Sequence, residues 1–257
     1  MARLEVMTLD AFPEVGTGDD LALLIEAALQ ASDLELQDGD VVAVAQKIVS
    51  KAEGRAVNLA SVFPSGPALG LAQNTGKDAR LVELILRESV AAGGAVVRIR
   101  PGLIIVEDSR GLVLANAGID ASNVPKSEDG QVLLLPVDPD RSAAMLRAAL
   151  EAATGSRLAV VILDSIGRAW RSGTVGTAIG CSGMPALLDL RGSVDRNGRT
   201  LQATEIGLAD EVAAAASLMI GQAAEGTPVA ILRGVPYVRS EGRARALQRP
   251  KNMDLFR

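Results

Sequence analysis

The 257-residue sequence contains no histidine and only one cysteine, Cys181. These absences exclude Ser-His-Asp and Cys-His catalysis, zinc sites built from imidazole or thiolate ligands, and an intramolecular disulfide. A metal ion in this protein therefore has to be held by oxygen atoms, which restricts it to hard cations such as Mg²⁺, Mn²⁺ or Ca²⁺. We expect Cys181 itself to be a small buried residue, because free cysteines usually are.

Aromatic residues make up only 2% of the chain, and the 31 acidic residues outnumber the 26 Lys and Arg residues, for a net charge of -5. The chain therefore lacks both the stacking platform and the basic surface of a nucleic-acid-binding protein, so we expect no nucleic acid as a partner. Its longest apolar runs, such as 132–137 and 158–163, fall far short of the roughly 20 residues that span a bilayer. The acidic residues near the N-terminus do not fit a signal peptide. We expect a cytoplasmic protein with no membrane partner.

Hydrophobic periodicity predicts helices and strands in an irregular order. Asp138 and Pro139 have the residue types expected at the N-cap and first position of a helix. Three short apolar segments between 95 and 115 are separated by turns, which predicts an antiparallel meander. The predicted helices cover 19–31, 78–90, 138–153 and 205–219, and the predicted strands cover 41–45, 95–100, 103–107, 111–115, 158–163, 187–190 and 228–232.

This order is neither a regular βα alternation nor an all-β pattern, so the fold class is predicted to be α+β (mixed α/β), in two lobes. The sequence has no internal repeat and no clear linker. We therefore treat 1–257 as a single module.

The first candidate site is the segment 114–123, LANAGIDASN. It places one carboxylate, Asp120, between two amide side chains in a loop of small residues, where a ligand can approach the backbone closely. An Asx-turn network that only closes the loop explains the same residues, and this segment alone slightly favours that interpretation.

The second candidate site follows the apolar strand 158–163, where Asp164 and Ser165 are predicted to end the strand. A glycine-rich loop with Arg168, Trp170 and Arg171 is predicted to come next. An aspartate at the tip of a buried strand is typical of Mg²⁺ sites in nucleotide-using enzymes, and arginine suits bidentate binding of phosphate or carboxylate. A helix or turn cap is the alternative, but the crowding of arginines and hydroxyls favours function. Our hypothesis is that Arg168 and Arg171 are catalytic residues that clamp anionic substrates.

Two further segments carry weaker signals. Lys47, Lys51 and Arg55 form a basic cluster suited to phosphates, although most such charge runs are solvated faces. The segment 221–226, GQAAEG, follows a predicted helix and is also explained as the end of that helix. Neither a P-loop nor a dinucleotide-binding glycine motif is present. The residues alone thus indicate an enzyme that uses phosphates, an oxygen-held metal and basic side chains, and they leave the substrate open.

Several segments together resemble the coenzyme F420-0:L-glutamate ligase family, the γ-glutamyl ligases of deazaflavin biosynthesis. The resemblance runs almost from end to end of the chain. The segments that carry it are 18–20 with the following helix, 41–55 (VVAVAQKIVSKAEGR), 115–124 (ANAGIDASNV), 134–140 (LLPVDPD), 164–180 (DSIGRAWRSGTVGTAIG), 209–211 and 221–234.

The resemblance implies a GTP-dependent ligase that joins L-glutamate to the lactyl-phosphate carboxylate of F420-0. The reaction would pass through an acyl phosphate and give γ-glutamyl F420 species, GDP and phosphate. The implied cofactors are two divalent ions, Mg²⁺ or Mn²⁺, and K⁺. The implied architecture is a family-specific two-lobed fold in an intertwined homodimer. Some relatives add a C-terminal nitroreductase-like domain, for which 257 residues leave no room. We therefore expect a single catalytic γ-glutamyl ligase module, which is either a stand-alone ligase or the isolated N-terminal module of such a fusion.

The resemblance also assigns roles to residues. Asp120 and Asp164 look like ligands of one metal ion, and Ser165 and Gln222 look like ligands of a second. Where some relatives have Thr, Ser165 keeps the hydroxyl, and Gln46 departs from the small hydroxyl residues that some relatives place before Lys47. The implied GTP contacts are Phe12, Pro13, Glu14, Val15, Gln46, Lys47, Lys51, Asn123, Gly221, Gln222, Glu225 and Gly226.

Two other functions stay open. One is a nucleotide-dependent acid–amine ligase that acts on another phosphorylated acid, which the mass of the product would distinguish. The other is a catalytically silent module that binds GTP or the deazaflavin. The intact set of Asp120, Asp164, Ser165 and Gln222 argues against a silent module.

Overall fold

The computed structural model describes residues 3–10, 12–121 and 130–254. Its strands are β1 (Glu5–Thr8), β2 (Val41–Ala45), β3 (Ala56–Asn58), β4 (Ala95–Arg100), β5 (Leu103–Glu107), β6 (Val113–Ala115), β7 (Gln131–Leu133), β8 (Ala159–Arg168), β9 (Arg171–Ser182), β10 (Leu188–Asp189), β11 (Glu205–Ile206) and β12 (Val229–Arg233). Its α-helices are α1 (Leu21–Ala31), α2 (Gln46–Ala52), α3 (Gly66–Thr75), α4 (Ala79–Glu88), α5 (Pro139–Thr154) and α6 (Leu208–Ile220). The fold is mixed α+β, as predicted.

A five-stranded sheet in the order β1-β12-β2-β8-β9 forms the centre of the molecule. β2 and β8 pair in parallel, and the other neighbours pair antiparallel. Alternate residues of the central strands enter two separate cores. Val42 and Ile162 pack with residues of α1 and α5 on one face, whereas Ala43 and Val161 pack with α6 on the other. Burial on both faces explains why these strands are continuous apolar runs in the sequence.

A second group of elements surrounds α3 and α4. It contains the antiparallel meander β4-β5-β6, which the sequence predicted, and the two-stranded pair β3-β7. Val82 and Ile85 of α4 pack with Ile104 and Val106 of β5. In this group the chain leaves β6, passes through Asn116–Gly118 with three successive positive φ angles of 52°, 57° and 70°, and reaches Asp120.

The predicted helix starts follow from local capping. The carboxylates of Asp20, Asp78 and Asp138 accept backbone N–H bonds at the starts of α1, α4 and α5. The N-cap carboxylate satisfies amide groups that have no partner inside the helix. None of the helices in the described part of the chain is long and apolar enough to cross a bilayer. Cys181 is buried, as expected.

The predicted glycine-rich loop after Asp164 is wrong. β8 continues to Arg168, and residues 171–182 return as β9 to form a long hairpin. The glycines of the predicted loop, Gly167 and Gly173, have open space where a Cβ would lie. Two glycines further along β9 serve helix packing: a Cβ at Gly176 would lie 2.4 Å from the carbonyl oxygen of Ala213 in α6, and one at Gly180 would lie 2.4 Å from that of Pro139 in α5. A helix can approach the strand this closely only where the strand residue is glycine. Glycine is also the residue that suggests a loop when the sequence is considered alone.

The predicted start of the last helix is also wrong. Glu205 and Ile206 pair with Asp189 and Leu188, so α6 begins only at Leu208. The two short helices α2 and α3 were not predicted. α2 begins directly after a strand, and no side chain caps its first turn.

Candidate active site

A cavity of about 360 Å³ lies where the parallel pairing of β2 with β8 ends. Ala45 and Leu163, the last pair of the parallel ladder, both line it. The carboxyl ends of parallel strands form a common edge, which is where α/β sheets generally bind ligands. Four segments complete the wall: 12–15, the start of α2, residues 163–165 and residues 220–228.

Helix α2 presents two lysines to this cavity. Lys47 and Lys51 are one turn apart, so they lie on the same face of the helix. The Nζ of Lys51 lies 3.1 Å from Oε2 of Glu14, and the Nζ of Lys47 lies 2.9 Å from Oδ2 of Asp120. Gln46 is buried, and its Oε1 accepts a hydrogen bond from the Ser50 hydroxyl at 2.9 Å. The helix thus joins the N-terminal loop to the segment that carries Asp120.

Two carboxylates, Asp120 and Asp164, lie near Lys47. Burial raises the pKa of Asp164, and the negative charge of Asp120 raises it further. The backbone N–H of Ser165, 2.8 Å from Oδ1 of Asp164, lowers that pKa, as do the positive charges of Lys47 and Arg110. Asp120 is fixed by its main chain, which exchanges two hydrogen bonds with Leu133 at 3.0 and 2.7 Å. A neighbouring positive charge favours the ionised form of a carboxylate and a second carboxylate disfavours it, so the charges of these three side chains are coupled.

Ser165 takes part in a different contact from its neighbour Asp164. Its hydroxyl donates a hydrogen bond to Oε1 of Gln222, which follows α6. Successive side chains of a strand point to opposite faces of the sheet. Asp164 therefore faces α2 and Asp120, whereas Ser165 faces the loop after α6.

That loop contains a carboxylate held by its own backbone. Gly221 ends α6 with a φ of 77°, and the carboxyl group of Glu225 lies against it. Oε2 of Glu225 accepts the N–H of Ala223 at 2.7 Å. Hydrogen bonds from backbone amides, first that of Ala223, lower the pKa of Glu225. The loop therefore presents an ionised carboxylate at the cavity wall.

Residues 11–234 of the chain match the family model described as F420-0:Gamma-glutamyl ligase. The protein belongs to the F420-0:gamma-glutamyl ligase family. A protein of Methanothermobacter thermautotrophicus named coenzyme F420:L-glutamate ligase is 45% identical over 256 residues, which cover 99% of each chain. Proteins of the same name from Methanopyrus kandleri and Methanocaldococcus jannaschii are 47% and 42% identical, and the alignments cover 99% and 86% of this chain and 97% and 86% of theirs. The resemblance noted in the sequence is confirmed.

Most of the residues that the family resemblance singled out line the cavity described above. Asp120 reaches the cluster through its contact with Lys47. Asn123 lies outside the described residues. The predicted residues on the cavity wall are Phe12, Pro13, Glu14, Val15, Gln46, Lys47, Lys51, Asp164, Ser165, Gly221, Gln222, Glu225 and Gly226.

Arg168 and Arg171 do not join this family site within the chain. They face each other at the tip of the β8-β9 hairpin, and both are exposed. Arg168 lies three positions beyond Ser165 along the strand, a distance of about 10 Å at the usual rise. The hypothesis that these arginines clamp substrates stays a prediction.

The sequence interpretation missed Arg110, which acts on Asp164 from the turn between β5 and β6. Its Nη2 lies 2.6 Å from Oδ2 of Asp108, a fully buried side chain, and its Nη1 donates to the carbonyl of Pro136. The sequence signal was an Asp-Ser-Arg-Gly turn, which is indistinguishable from an ordinary surface turn. The fold converts it into a fixed positive charge near the carboxylates.

The donor atoms of the site are suited to a hard cation. Asp120 and Asp164 supply carboxylate oxygens, and the negative charge of Asp120 is close enough to raise the pKa of Asp164. Ser165 and Gln222 bring a hydroxyl oxygen and an amide oxygen together. Mg²⁺ needs only one or two carboxylates when phosphate oxygens complete its shell. Across residues 3–10, 12–121 and 130–254, no cluster of three or more acidic, His or Cys side chains forms a cage for a metal.

Proposed function

We propose that this protein joins L-glutamate to the carboxylate of F420-0 with GTP as the co-substrate. The family membership and the names of the relatives support the ligase activity. The observation that carries the proposal is the cluster of Asp120, Lys47 and Asp164 at the edge of the cavity. It combines carboxylates for a hard cation with a lysine for phosphate at the end of a parallel strand pair.

The chemistry requires activation, because a carboxylate does not react with an amine at neutral pH. A carboxylate oxygen of F420-0 would attack the γ-phosphorus of GTP, GDP would leave, and an acyl phosphate would form. The amine of L-glutamate would then attack the carbonyl carbon, inorganic phosphate would leave with the bonding electrons, and the nitrogen would lose a proton. Such transfers depend chiefly on positioning and on stabilising phosphate charge, so no histidine is needed.

The proposed roles are distributed over several side chains of the cavity and its surroundings. Asp120 and Asp164 would hold one divalent ion, Mg²⁺ or Mn²⁺, and Ser165 and Gln222 a second, with K⁺ as a further cation. When bound, these ions would offset the negative charge of the phosphate oxygens. Lys47 and Lys51 would contact phosphates, and Arg110 would add a fixed positive charge nearby. Arg168 and Arg171 would bind the anionic substrates.

We also propose that the protein is a cytoplasmic homodimer. Trp170 at the tip of the β8-β9 hairpin and Leu218 on α6 are 87% and 83% exposed. Large apolar side chains in such positions are typical of contact surfaces. A second copy would cover them and would give the exposed arginines at the hairpin tip a partner surface. Light scattering after size-exclusion chromatography tests this, and a monomer at micromolar concentration would contradict it.

The test of the ligase is mass spectrometry of F420-0 incubated with the protein, L-glutamate, GTP and Mn²⁺. We expect products heavier by one or more glutamyl units, and their loss in Asp164→Asn. The matched control is Asp189→Asn, because Asp189 pairs with Arg191 on the surface, away from the cavity. Replacing glutamate by hydroxylamine should trap the acyl phosphate as the hydroxamate of F420-0.

The outcomes separate the alternatives. Glutamate addition to a different phosphorylated acid, with F420-0 unchanged, would favour another acid–amine ligase. Binding of GTP without any turnover would favour the silent module.

A further inference from the structure

The ammonium group of Lys47 contacts a carboxylate that is suited to a metal ion. Its Nζ lies 2.9 Å from Oδ2 of Asp120, and its positive charge also acts on Asp164. A divalent ion held by the same two carboxylates would lie close to this ammonium group, and like charges at short range repel each other. Lys47 is therefore a competitor of the ion for Asp120.

Arg110 adds a second positive charge, and this one is fixed in place. Its Nε and Nη2 lie 2.7 and 2.6 Å from Oδ2 of Asp108, whose side chain is fully buried. Its Nη1 donates to the carbonyl of Pro136. The other oxygen of Asp108 accepts the N–H groups of Arg110 and Leu112 at 2.8 and 3.0 Å. Because a buried ion pair is costly to break, the charge that Arg110 exerts on Asp164 is permanent.

Lys47 differs from Arg110 because it can change partners. Its ammonium group is carried on a flexible four-carbon stem, and the side chain lines the cavity and is 26% exposed. The group has three N–H donors, so it can bind a phosphate oxygen in place of a carboxylate oxygen. A phosphate bound in the cavity would draw Lys47 away from Asp120. The same phosphate would offer a divalent ion further oxygen ligands.

We propose that Lys47 and Arg110 compete with the divalent ion for Asp120 and Asp164, so that the ion binds tightly only together with the phosphates of a nucleotide. This inference rests on the proposed GTP-dependent function and adds a coupling between its two ligands. Without phosphate, two positive side chains balance the two carboxylates, and little attraction remains for a further cation. With phosphate, Lys47 has a new partner, and the ion gains both Asp120 and phosphate oxygens.

The test is binding of Mn²⁺ to the intact protein and to Lys47→Met, without and with GDP, measured by the electron paramagnetic resonance signal of the free ion. A titration without protein corrects for Mn²⁺ bound by free GDP. We expect Lys47→Met to bind Mn²⁺ about 10-fold more tightly than the intact protein when GDP is absent, because one competing charge has been removed. The factor by which GDP tightens Mn²⁺ binding should fall to a similar extent.

Calorimetry of GDP binding without and with Mn²⁺ gives a second measurement of the coupling. By linkage, Mn²⁺ must strengthen GDP binding by the same factor by which GDP strengthens Mn²⁺ binding. This factor should be smaller in Lys47→Met than in the intact protein. A gain of Mn²⁺ affinity distinguishes competition from a structural role, because a loosened site would bind the ion less tightly.

Lys51→Met is the matched control, since Lys51 lies one turn along the same helix but pairs with Glu14 at 3.1 Å. It should weaken GDP binding and leave Mn²⁺ binding without GDP unchanged. Arg110 is tested in the double variant Asp108→Asn/Arg110→Gln, because replacing Arg110 alone would leave a buried charge without its partner. This double variant should also bind Mn²⁺ more tightly without GDP.

Unchanged or weaker Mn²⁺ binding by Lys47→Met in the absence of GDP would overturn the proposal. Equal tightening in Lys51→Met would overturn it as well, because the effect would then be one of overall charge. Unchanged Mn²⁺ binding by the double variant would remove Arg110 from the proposal. Equally tight binding of Mn²⁺ by the intact protein with and without GDP would contradict the coupling and leave the proposed function standing. Failure of the intact protein to bind GDP with Mn²⁺ present would instead remove the proposed function, and this inference with it.

Discussion

Lys47 and Asp120 connect two parts of the fold through a 2.9 Å contact between Nζ and Oδ2. Lys47 belongs to the helix that follows the central strand β2, and Asp120 pairs with Leu133 beside the strand pair β3-β7. Both charges act on Asp164, the residue of β8 that follows the parallel ladder. The pair therefore sets the charge balance of the candidate active site.

A double-mutant cycle should detect this pair. We expect Lys47→Met and Asp120→Asn to be coupled by about 1 kcal/mol in the free energy of unfolding, because both side chains are nearly three-quarters buried. Urea denaturation of the four proteins measures it. The pair Arg191 and Asp189, about half exposed, is the control and should show no measurable coupling. Additive effects of Lys47→Met and Asp120→Asn would contradict a direct interaction.

The lowered pKa of Glu83 should make the free energy of unfolding depend on pH. The hydroxyl and N–H of Ser65 lower its pKa, with a smaller contribution from Arg87. Since the folded state lowers the pKa below the ordinary 4.5, the stabilisation is present above that pH and is lost as the pH falls through the folded value. We expect Glu83→Gln to cost about 1 kcal/mol at pH 7.

Chemical denaturation at pH 7 and below pH 3 measures this effect. The difference between the intact protein and Glu83→Gln should disappear at the acidic pH. Arg87→Met serves as the control, because it removes only the minor partner of Glu83. A difference of the same size at both pH values would show that the charge of Glu83 is not involved.

Cys181 should be chemically inert in the folded protein. Burial raises the pKa of its thiol to about 12, so at pH 8 the thiolate fraction is on the order of 10⁻⁴. We expect iodoacetamide to leave the native protein unmodified and to label one site in denaturant, as measured by intact mass. Rapid labelling without denaturant would show that the strand β9 opens around Cys181.

The glycines of the β8-β9 hairpin should differ sharply in tolerance. Gly180→Ala would bring a Cβ against the carbonyl of Pro139, and we expect a cost of about 2 to 3 kcal/mol. Gly167 has open space around its Cα and a negative φ, so Gly167→Ala should be neutral or slightly stabilising. Thermal unfolding compares the two, and equal melting temperatures would contradict the packing of α5 on β9.

Substitution of the hairpin arginines tests their predicted role in binding the anionic substrates. Arg168→Lys and Arg171→Lys should raise the KM for glutamate or F420-0 sharply, because lysine cannot form the bidentate contact. The Kd for GDP should not change, since neither arginine lines the cavity. Unchanged steady-state kinetics in both variants would remove these residues from substrate binding.

Local signals made much of the fold predictable. Asp20 and Asp138 cap helices that the sequence already marked, and the apolar run Val41–Ala45 is a strand with those bounds. These elements depend on neighbours in the chain. The hairpin was not predictable in the same way, because the need for glycine at Gly176 and Gly180 arises from helices that lie far away in the sequence.

The candidate site likewise contains some residues that the sequence indicated and others that only the fold identifies. Family motifs pointed to Asp120, Asp164, Lys47 and Gln222, and the structure brings these together or onto one cavity wall. Arg110 could not be found, because its effect on Asp164 depends on the fold of the β5-β6 turn and on the buried Asp108. The fixed carboxylate of Glu225 likewise depends on how the chain bends at Gly221.

The side chains of the neighbouring residues Asp164 and Ser165 point to opposite faces of β8. This arrangement limits which insertions and deletions the gene can accept. Deleting or inserting one codon in the strand before Asp164 would exchange the two faces and send the carboxylate toward Gln222. Both halves of the site would be lost in one event, although every functional side chain would still be encoded. Length changes in descendants of this sequence should therefore be confined to the hairpin tip and the surface loops, and the interval between Ala159 and Ser165 should keep its length.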